Sequence, residues 1–191
     1  MVEIRIHGRG GQGAVVASQI IAEAAFREGL HVQAFPSFGS ERRGAPVAAF
    51  VRLDRDPVLV RSEIYRPDGL IVLDQNLILQ KLVDVTRGLK EDGWVLVNSP
   101  SDPERFAELG SYRLATVPAS RIAAEHGLGS LTSPIVNTAI VGAFAALTGL
   151  VGLENLAEAI RSTVPVKPEE NVRAALAAAE SVRVLEPATG R

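Results

Sequence analysis

The residues best placed to do chemistry in this sequence form a glycine-rich stretch near its N-terminus. The stretch consists of Gly8, Arg9, Gly10, Gly11, Gln12 and Gly13. Closely spaced glycines let the backbone adopt positive φ angles and approach a ligand. The N–H groups at the start of a following helix are unpaired and attract anions. The sequence therefore predicts an anion or phosphate site, to which Arg9 adds a positive charge.

The spacing of Gly8, Gly10 and Gly13 fits the G-x-G-x-x-G pattern of dinucleotide-binding folds. That pattern also requires an acidic residue about 20 residues further on, and the expected second strand, residues 31–37, contains none. An alanine and a valine follow Gly13, which excludes the P-loop of nucleotide hydrolases, because that loop requires a lysine there. A tight strand-to-helix turn whose glycines serve packing alone stays open as the alternative.

Composition excludes several other functions. A net charge of −2 and an aromatic content of 5% argue against a nucleic-acid partner. The sequence has no cysteine, which excludes disulfides, thiolate-bound iron–sulfur clusters and a cysteine nucleophile in this chain. The three histidines lack metal-site spacing, and no serine lies in a nucleophile-elbow motif. We expect no catalytic residue, metal site, targeting segment or membrane span, which favours the cytoplasm.

The pattern of apolar runs predicts one α/β domain over residues 1–185, followed by a loose tail at 186–191. Strands are predicted at 2–6, 31–38, 47–53, 69–74, 93–98 and 112–117, and helices at 14–28, 76–83, 119–126, 134–147, 153–162 and 168–180. The C-terminal third is thus helical. A turn at 54–57 predicts that 58–60 pairs back on 47–53, which gives a mixed, mainly parallel sheet flanked by helices. Ser133 and Pro134 are typical of a helix start.

Polar residues follow two of the predicted strands. Asp74 ends one strand, and Asn98 and Ser99 follow the next. Ligands of open α/β sheets gather beyond the carboxyl ends of the strands. We therefore expect these residues and the glycine-rich stretch to lie at one edge of the sheet.

A second candidate element is the loop that follows the predicted second strand. Its candidate residues are Phe38, Gly39, Glu41, Arg42, Arg43 and Gly44. Glycines and prolines frame two adjacent arginines and an acid, which predicts an interface or ligand element, whereas a solvated charged face is the alternative. Asn137 is polar within an apolar helical segment. We expect it either to support the glycine-rich stretch or to be satisfied by backbone groups alone.

Residues 7–15, HGRGGQGAV, resemble the first signature of the gamma subunits of pyruvate:ferredoxin oxidoreductase and its 2-oxoacid relatives. Further similarity lies in residues 33–36, 38–39 and 41–46, in Asp74-Gln75, in the segment from Asn137 to Gly142 and in Asn171-x-x-Ala174. The resemblance covers nearly the whole chain. It departs at Ala177 and Ala178, where the family often has a glycine after the last helix motif.

The resemblance implies a role within a multi-chain enzyme. This family oxidatively decarboxylates a 2-oxoacid with thiamine diphosphate and passes electrons through [4Fe–4S] clusters to ferredoxin. The chain would be a non-catalytic gamma subunit, inactive alone, bound to alpha, beta and ferredoxin-like delta subunits that hold thiamine diphosphate, Mg²⁺ and the clusters.

The family's gamma domain is associated with coenzyme A, which takes the acyl group in the pyruvate and branched-chain members. The resemblance therefore implies that the glycine-rich stretch binds the coenzyme or packs against the thiamine-binding subunits. Pyruvate is the expected substrate, and branched-chain 2-oxoacids and aryl glyoxylates are the alternatives. A stand-alone nucleotide-binding module is the alternative from a different functional class.

Overall fold

A computed structural model describes residues 1–37, 44–130 and 133–187, which form one α/β domain. The strands are β1 (Val2–Arg9), β2 (His31–Pro36), β3 (Pro46–Asp54), β4 (Gly69–Val72), β5 (Trp94–Asn98), β6 (Arg113–Val117), β7 (Gly129–Ser130), β8 (Ser133–Pro134) and β9 (Arg183–Leu185). The helices are α1 (Ala14–Arg27), α2 (Asn76–Leu79), α3 (Ala119–Glu125), α4 (Asn137–Thr148), α5 (Leu153–Thr163) and α6 (Pro168–Ser181), with a 3₁₀ helix at Pro103–Leu109.

Seven strands form one sheet in the order β2-β3-β1-β4-β5-β6-β9, and β7 and β8 form a small separate hairpin. Strands β1, β4, β5 and β6 are parallel, whereas β3 runs antiparallel to both β1 and β2, and β9 runs antiparallel to β6. The sheet is therefore mixed and mainly parallel in its centre, which confirms the predicted fold class. The carboxyl ends of β1 and β2 and the first residue of β3 meet at one edge.

The expected antiparallel strand at 58–60 is wrong. Both edges of β3 are already occupied, since Val51 pairs with Ile4 of β1 and with Ala34 of β2. The chain after β3 therefore cannot pair back on β3. It is held instead by the Gln33 side chain, whose Nε2 donates a hydrogen bond of 2.9 Å to the Val60 carbonyl.

Three other elements differ from the sequence prediction. The helix expected from 76 stops after four residues, and Lys81 adopts a positive φ of 50°. Pro134 belongs to β8 and the next helix begins at Asn137, so neither Ser133 nor Pro134 opens that helix. The short edge strand β9 lies in the part that was expected to be helical. Residues 188–191 of the expected tail lie outside the described residues.

The sheet is covered on both faces. On one face, residues such as Ile4 and Ile6 pack in a core with helices α1, α4, α5 and α6. On the other face, Leu70 and Val72 pack with Phe106 of the 3₁₀ helix. Of the helices in the described ranges, none is both long and apolar enough to cross a bilayer. With both faces covered, the strand ends are where a ligand can reach the sheet.

Helices α4 and α6 approach each other closely at Gly142. A Cβ atom at this position would overlap with the backbone carbonyl oxygen of Ala175. Small residues of α6, among them Ala174 and Ala178, are also fully or almost fully buried here. The close contact matters for the site because α4 begins at Asn137, beside the glycine-rich stretch.

We predict that Gly142→Ala destabilises the chain by at least about 2 kcal/mol, because the two helices must separate to admit the methyl group. Helix propensity alone predicts the opposite sign, a gain of about 1 kcal/mol. Urea denaturation followed by circular dichroism measures the change. The control is Ala146→Ser, which adds one atom to the exposed side of the same helix. Equal stability of the two variants would contradict the predicted contact.

Candidate functional site

The glycine-rich stretch forms the turn between β1 and α1. Gly11 has a φ of 93° and Gly13 a φ of 82°, both in the region that favours glycine. Gly8 and Gly10 do not have positive φ angles. Gly13 is the N-cap of α1 and adopts a left-handed conformation, with no side chain to cap the helix. Two of the four glycines are therefore required by the backbone conformation of the turn.

Gln12 closes the turn internally. Its side-chain oxygen Oε1 accepts a hydrogen bond of 2.7 Å from the backbone N–H of Arg9, and its own N–H donates to the Arg9 carbonyl at 2.9 Å. A Cβ atom at Gly8 would lie 3.4 Å from Gln12 Oε1 and 3.1 Å from Leu73 Cδ1. Gly8 thus leaves room for the Gln12 side chain, which stabilises the turn.

The Arg9 side chain ties the turn to two neighbouring segments. Its Nε donates to Asp74 Oδ2 at 2.6 Å, and its Nη1 donates to the Gly44 carbonyl at 3.2 Å. Two backbone hydrogen bonds, Gly10 N–H to Ala45 O and Gly44 N–H to Gly10 O, reinforce the second connection. Because Asp74 compensates its charge, Arg9 positions the turn here. Its expected role as a cation for phosphate stays a prediction.

The backbone N–H groups of Gly13, Ala14 and Val15 point out of the start of α1. No acceptor is found for them within the described ranges 1–37, 44–130 and 133–187. The helix is 14 residues long, and no acidic residue lies in its first turn. A helix start with free donors and no acidic side chain is favourable for an anion.

Asn137 lies against Gly13 at the start of α4. Its side chain is buried and occupies the space that a Cβ atom of Gly13 would take. Asn137 Oδ1 accepts a hydrogen bond of 2.9 Å from the N–H of Thr138, whose hydroxyl donates to Asn171 Oδ1 at 2.5 Å. The turn is therefore in contact with α4, and through Thr138 with α6.

The polar residues after β4 and β5 lie at the same edge, as expected. Asn98 Nδ2 donates to the Leu73 carbonyl and to Ser120 Oγ, each at 2.9 Å. Ser99 Oγ donates to Gln75 Oε1 at 2.7 Å. These side chains connect the loops at the strand ends to one another. These side chains therefore stabilise the edge of the sheet, whereas the free backbone N–H donors belong to the neighbouring glycine-rich turn.

A cavity of about 580 Å³ opens beside the turn, at the ends of β1 and β2 and the start of β3. It is lined by His7, Arg9, Gly11, Gly13, Ala14, Val15, Pro36, Ser37, Pro46, Val47, Ala48 and Val83. Most of these residues are apolar; His7 and Arg9 lie beside the turn, and Ser37 follows the end of β2. Its size and lining are typical of a small-molecule site.

The predicted loop residues Phe38, Gly39, Glu41, Arg42 and Arg43 lie outside the described residues. Gly44 is described, with a φ of 80°, and is bound to Gly10 and Arg9. At the other end, Ser37 Oγ donates to Glu63 Oε1 at 2.8 Å. Both flanks of the loop are thus held, and Ser37 lines the cavity.

His7 is the residue that sequence reasoning missed. Its imidazole is buried, and burial together with the neighbouring positive charge of Arg5 lowers its pKa to about 3, although Asp84 acts in the opposite direction. Arg5 Nε donates a hydrogen bond of 2.9 Å to His7 Nε2. The ring is therefore neutral at physiological pH and lines the cavity. Its position at the end of β1, directly before the glycines, was the available signal.

Among the described residues, no group of three histidine, aspartate or glutamate side chains is arranged to hold a metal ion.

Residues 3–181 match the model of the pyruvate ferredoxin/flavodoxin oxidoreductase family. The chain is 50% identical to the pyruvate/ketoisovalerate oxidoreductases common subunit gamma of Pyrococcus abyssi, over 97% of this chain and 100% of that one. It is 36% identical to the crystal structure of pyruvate oxidoreductase subunit PORC from Thermotoga maritima, with a TM-score of 0.80 over 97% of this chain and 98% of that one. The expected resemblance is confirmed.

The fold also recurs within a longer chain. The 2-oxoglutarate:ferredoxin oxidoreductase from Magnetococcus marinus, solved with 2-oxoglutarate, coenzyme A and succinyl-CoA bound, matches with a TM-score of 0.71 at 22% identity. The match covers 97% of this chain and 33% of that chain. At this identity the likeness concerns the fold alone.

We predict that Gly13→Ala destabilises the chain more than Gly11→Ala, by at least about 1 kcal/mol. Both changes strain a positive φ, at roughly 1–3 kcal/mol, but only Gly13→Ala displaces Asn137, since Gly11 faces open space. Denaturant unfolding of the two variants, repeated in an Asn137→Ala background, isolates this contact. The difference should shrink in that background. A difference that persists there would show that Asn137 is not its cause.

The pKa of His7 also predicts how stability depends on pH. Its pKa falls from 6.5 to about 3 on folding, so the unfolded chain binds the proton more tightly. Stability from this group is therefore complete above about pH 6.5 and is lost as the pH falls towards 3. We expect wild type to lose about 2 kcal/mol more than His7→Gln between pH 7 and pH 5, measured by urea unfolding. Equal losses in the two proteins would exclude a buried neutral His7.

Proposed function

Because the chain belongs to the pyruvate ferredoxin/flavodoxin oxidoreductase family, in which it corresponds to the gamma subunits, we propose that it supports the coenzyme A-dependent oxidative decarboxylation of a 2-oxoacid, pyruvate first. In this proposal it performs no chemical step itself. Alpha, beta and ferredoxin-like delta subunits of a cytoplasmic complex hold thiamine diphosphate, Mg²⁺ and the [4Fe–4S] clusters, and ferredoxin accepts the electrons.

Two observations support a non-catalytic role. The sequence contains no cysteine, so the chain has no thiolate to hold an iron–sulfur cluster. Two polar side chains at the sheet edge are engaged in internal contacts: Arg9 binds Asp74, and Asn98 binds Ser120. An edge arranged in this way positions the backbone donors at the start of α1.

The observation that carries the coenzyme A proposal is the open start of α1 beside the cavity. The free N–H groups of Gly13, Ala14 and Val15 suit a phosphate, and the adjoining cavity of about 580 Å³ suits the less polar remainder of a ligand. Coenzyme A combines both kinds of group. The Magnetococcus marinus enzyme, whose chain contains a related fold, was solved with coenzyme A bound.

Branched-chain 2-oxoacids are the second candidate substrates. The Pyrococcus abyssi relative is described as a subunit common to pyruvate and ketoisovalerate oxidoreductases. When one subunit is shared by two oxidoreductases, it cannot distinguish their 2-oxoacid substrates. A shared subunit therefore implies that the other chains select the substrate. In the proposed function this chain handles the coenzyme, which both reactions have in common.

We predict that Val15→Glu raises the Michaelis constant for coenzyme A roughly tenfold to hundredfold over Val15→Gln, because it places a negative charge where the phosphates bind. Val15 is half-buried, lines the cavity and lies in the first turn of α1, where an acidic residue does not destabilise a helix. The measurement is steady-state kinetics of the reconstituted complex. The constant for the 2-oxoacid should stay the same in both variants.

Val15→Gln is the matched control, because it loses the same apolar contacts and adds no charge. Equal constants for coenzyme A in the two variants would place the phosphates elsewhere. A third result is also possible: the complex dissociates only with Val15→Glu, while the complex that stays assembled keeps its Michaelis constant for coenzyme A. That result would show that the turn is an assembly surface.

A further inference from the structure

The wall of the cavity contains one buried side chain that the proposed phosphate site does not use, His7. Side chains alternate along β1, and Ile4 and Ile6 belong to the core beneath the helices. Arg5 and His7 therefore lie on the opposite face of the sheet, and their side chains are hydrogen-bonded to each other. Val83, which packs against the core on that face, lines the same cavity as His7. The cavity thus extends from the glycine turn onto this face.

The contact with Arg5 fixes which ring nitrogen of His7 carries the proton. A guanidinium only donates hydrogen bonds, so His7 Nε2, at 2.9 Å from Arg5 Nε, is the acceptor. Since the ring is neutral, its single proton lies on Nδ1. Arg5 itself is immobilised, because its Nη2 donates to the carbonyls of Val85 and Arg87 at 2.8 and 2.7 Å. The orientation of the imidazole is therefore set before any ligand arrives.

An N–H group at the wall of a cavity exchanges its hydrogen bond with water for one with a ligand that enters, or loses it. Within the described residues no protein acceptor is found for His7 Nδ1, while the ring lines the cavity. Val47, Ala48 and Val83 make this part of the cavity apolar. A neutral carbonyl is the acceptor that suits such a place, because burying a charged group there would be far more unfavourable.

We propose, resting on the proposed function, that His7 donates a hydrogen bond from Nδ1–H to an amide carbonyl of the pantetheine arm of coenzyme A. The phosphates bind at the start of α1, and the arm follows the apolar wall past His7. His7 is then a binding residue that recognises the arm and takes no part in proton transfer. Its partner Arg5 is a positioning residue.

Two substitutions separate the nitrogens of His7. In His7→Asn, the Nδ2 amide group replaces Nδ1–H, and the acceptor for Arg5 is lost. In His7→Gln, the Oε1 atom replaces the Nε2 acceptor, and the δ donor is lost. The probes are coenzyme A and 3′-phosphoadenosine 5′-diphosphate, which has phosphates but no pantetheine arm. Isothermal titration of the reconstituted complex measures both dissociation constants.

We expect His7→Gln to weaken coenzyme A binding roughly five- to twentyfold and to leave the nucleotide unchanged. His7→Asn should bind coenzyme A within about threefold of wild type, as expected when one neutral hydrogen bond is kept. Wild-type affinity of His7→Gln for coenzyme A, or equal weakening of both probes, would overturn the inference. Because both of these results come from His7→Gln, they test the inference even if His7→Asn fails to fold. The proposed function fails separately, through equal coenzyme constants for Val15→Glu and Val15→Gln.

Discussion

The contact between Gly13 and Asn137 joins the two parts of the molecule on which the site depends. Gly13 ends the turn after β1, and Asn137 begins α4, whose body is held against α6 at Gly142. Any side chain at Gly13 would take the place of the Asn137 amide. The start of α1 is therefore positioned by the C-terminal helices as well as by its own strand. This explains how an N-terminal turn with few side chains becomes a rigid set of backbone donors.

The rest of the sheet edge supports this turn. Arg9 connects it to Asp74 after β4 and to Gly44 before β3, while Gln12 closes it from within. The antiparallel strand β3 lies between β1 and β2, so its first residues form a wall of the cavity that a purely parallel sheet would lack. A subunit built in this way can bind a ligand and present it to other chains. In the proposed function, those chains supply the catalytic groups.

The sequence predicted best where one local signal decided the structure. The alternation in β1 followed by glycines and an apolar segment predicted a strand, a turn and a helix, and all three are present. The strand expected at 58–60 failed because pairing depends on which edges are free, and that is a property of the whole sheet. Pro134 was misplaced for a related reason, since its segment pairs in a hairpin. The role proposed for His7 depends on its hydrogen bond to Arg5 and on the adjoining cavity, and no sequence pattern predicts either of them.

The most direct test of this account is an experimental structure of the assembled complex with coenzyme A bound. The account predicts coenzyme phosphate oxygens within about 3 Å of the backbone nitrogens of Gly13, Ala14 or Val15, a typical hydrogen-bond distance. It also predicts thiamine diphosphate and the iron–sulfur clusters on other chains. A structure in which the coenzyme phosphates bind another subunit, while a partner chain covers the start of α1, would contradict it.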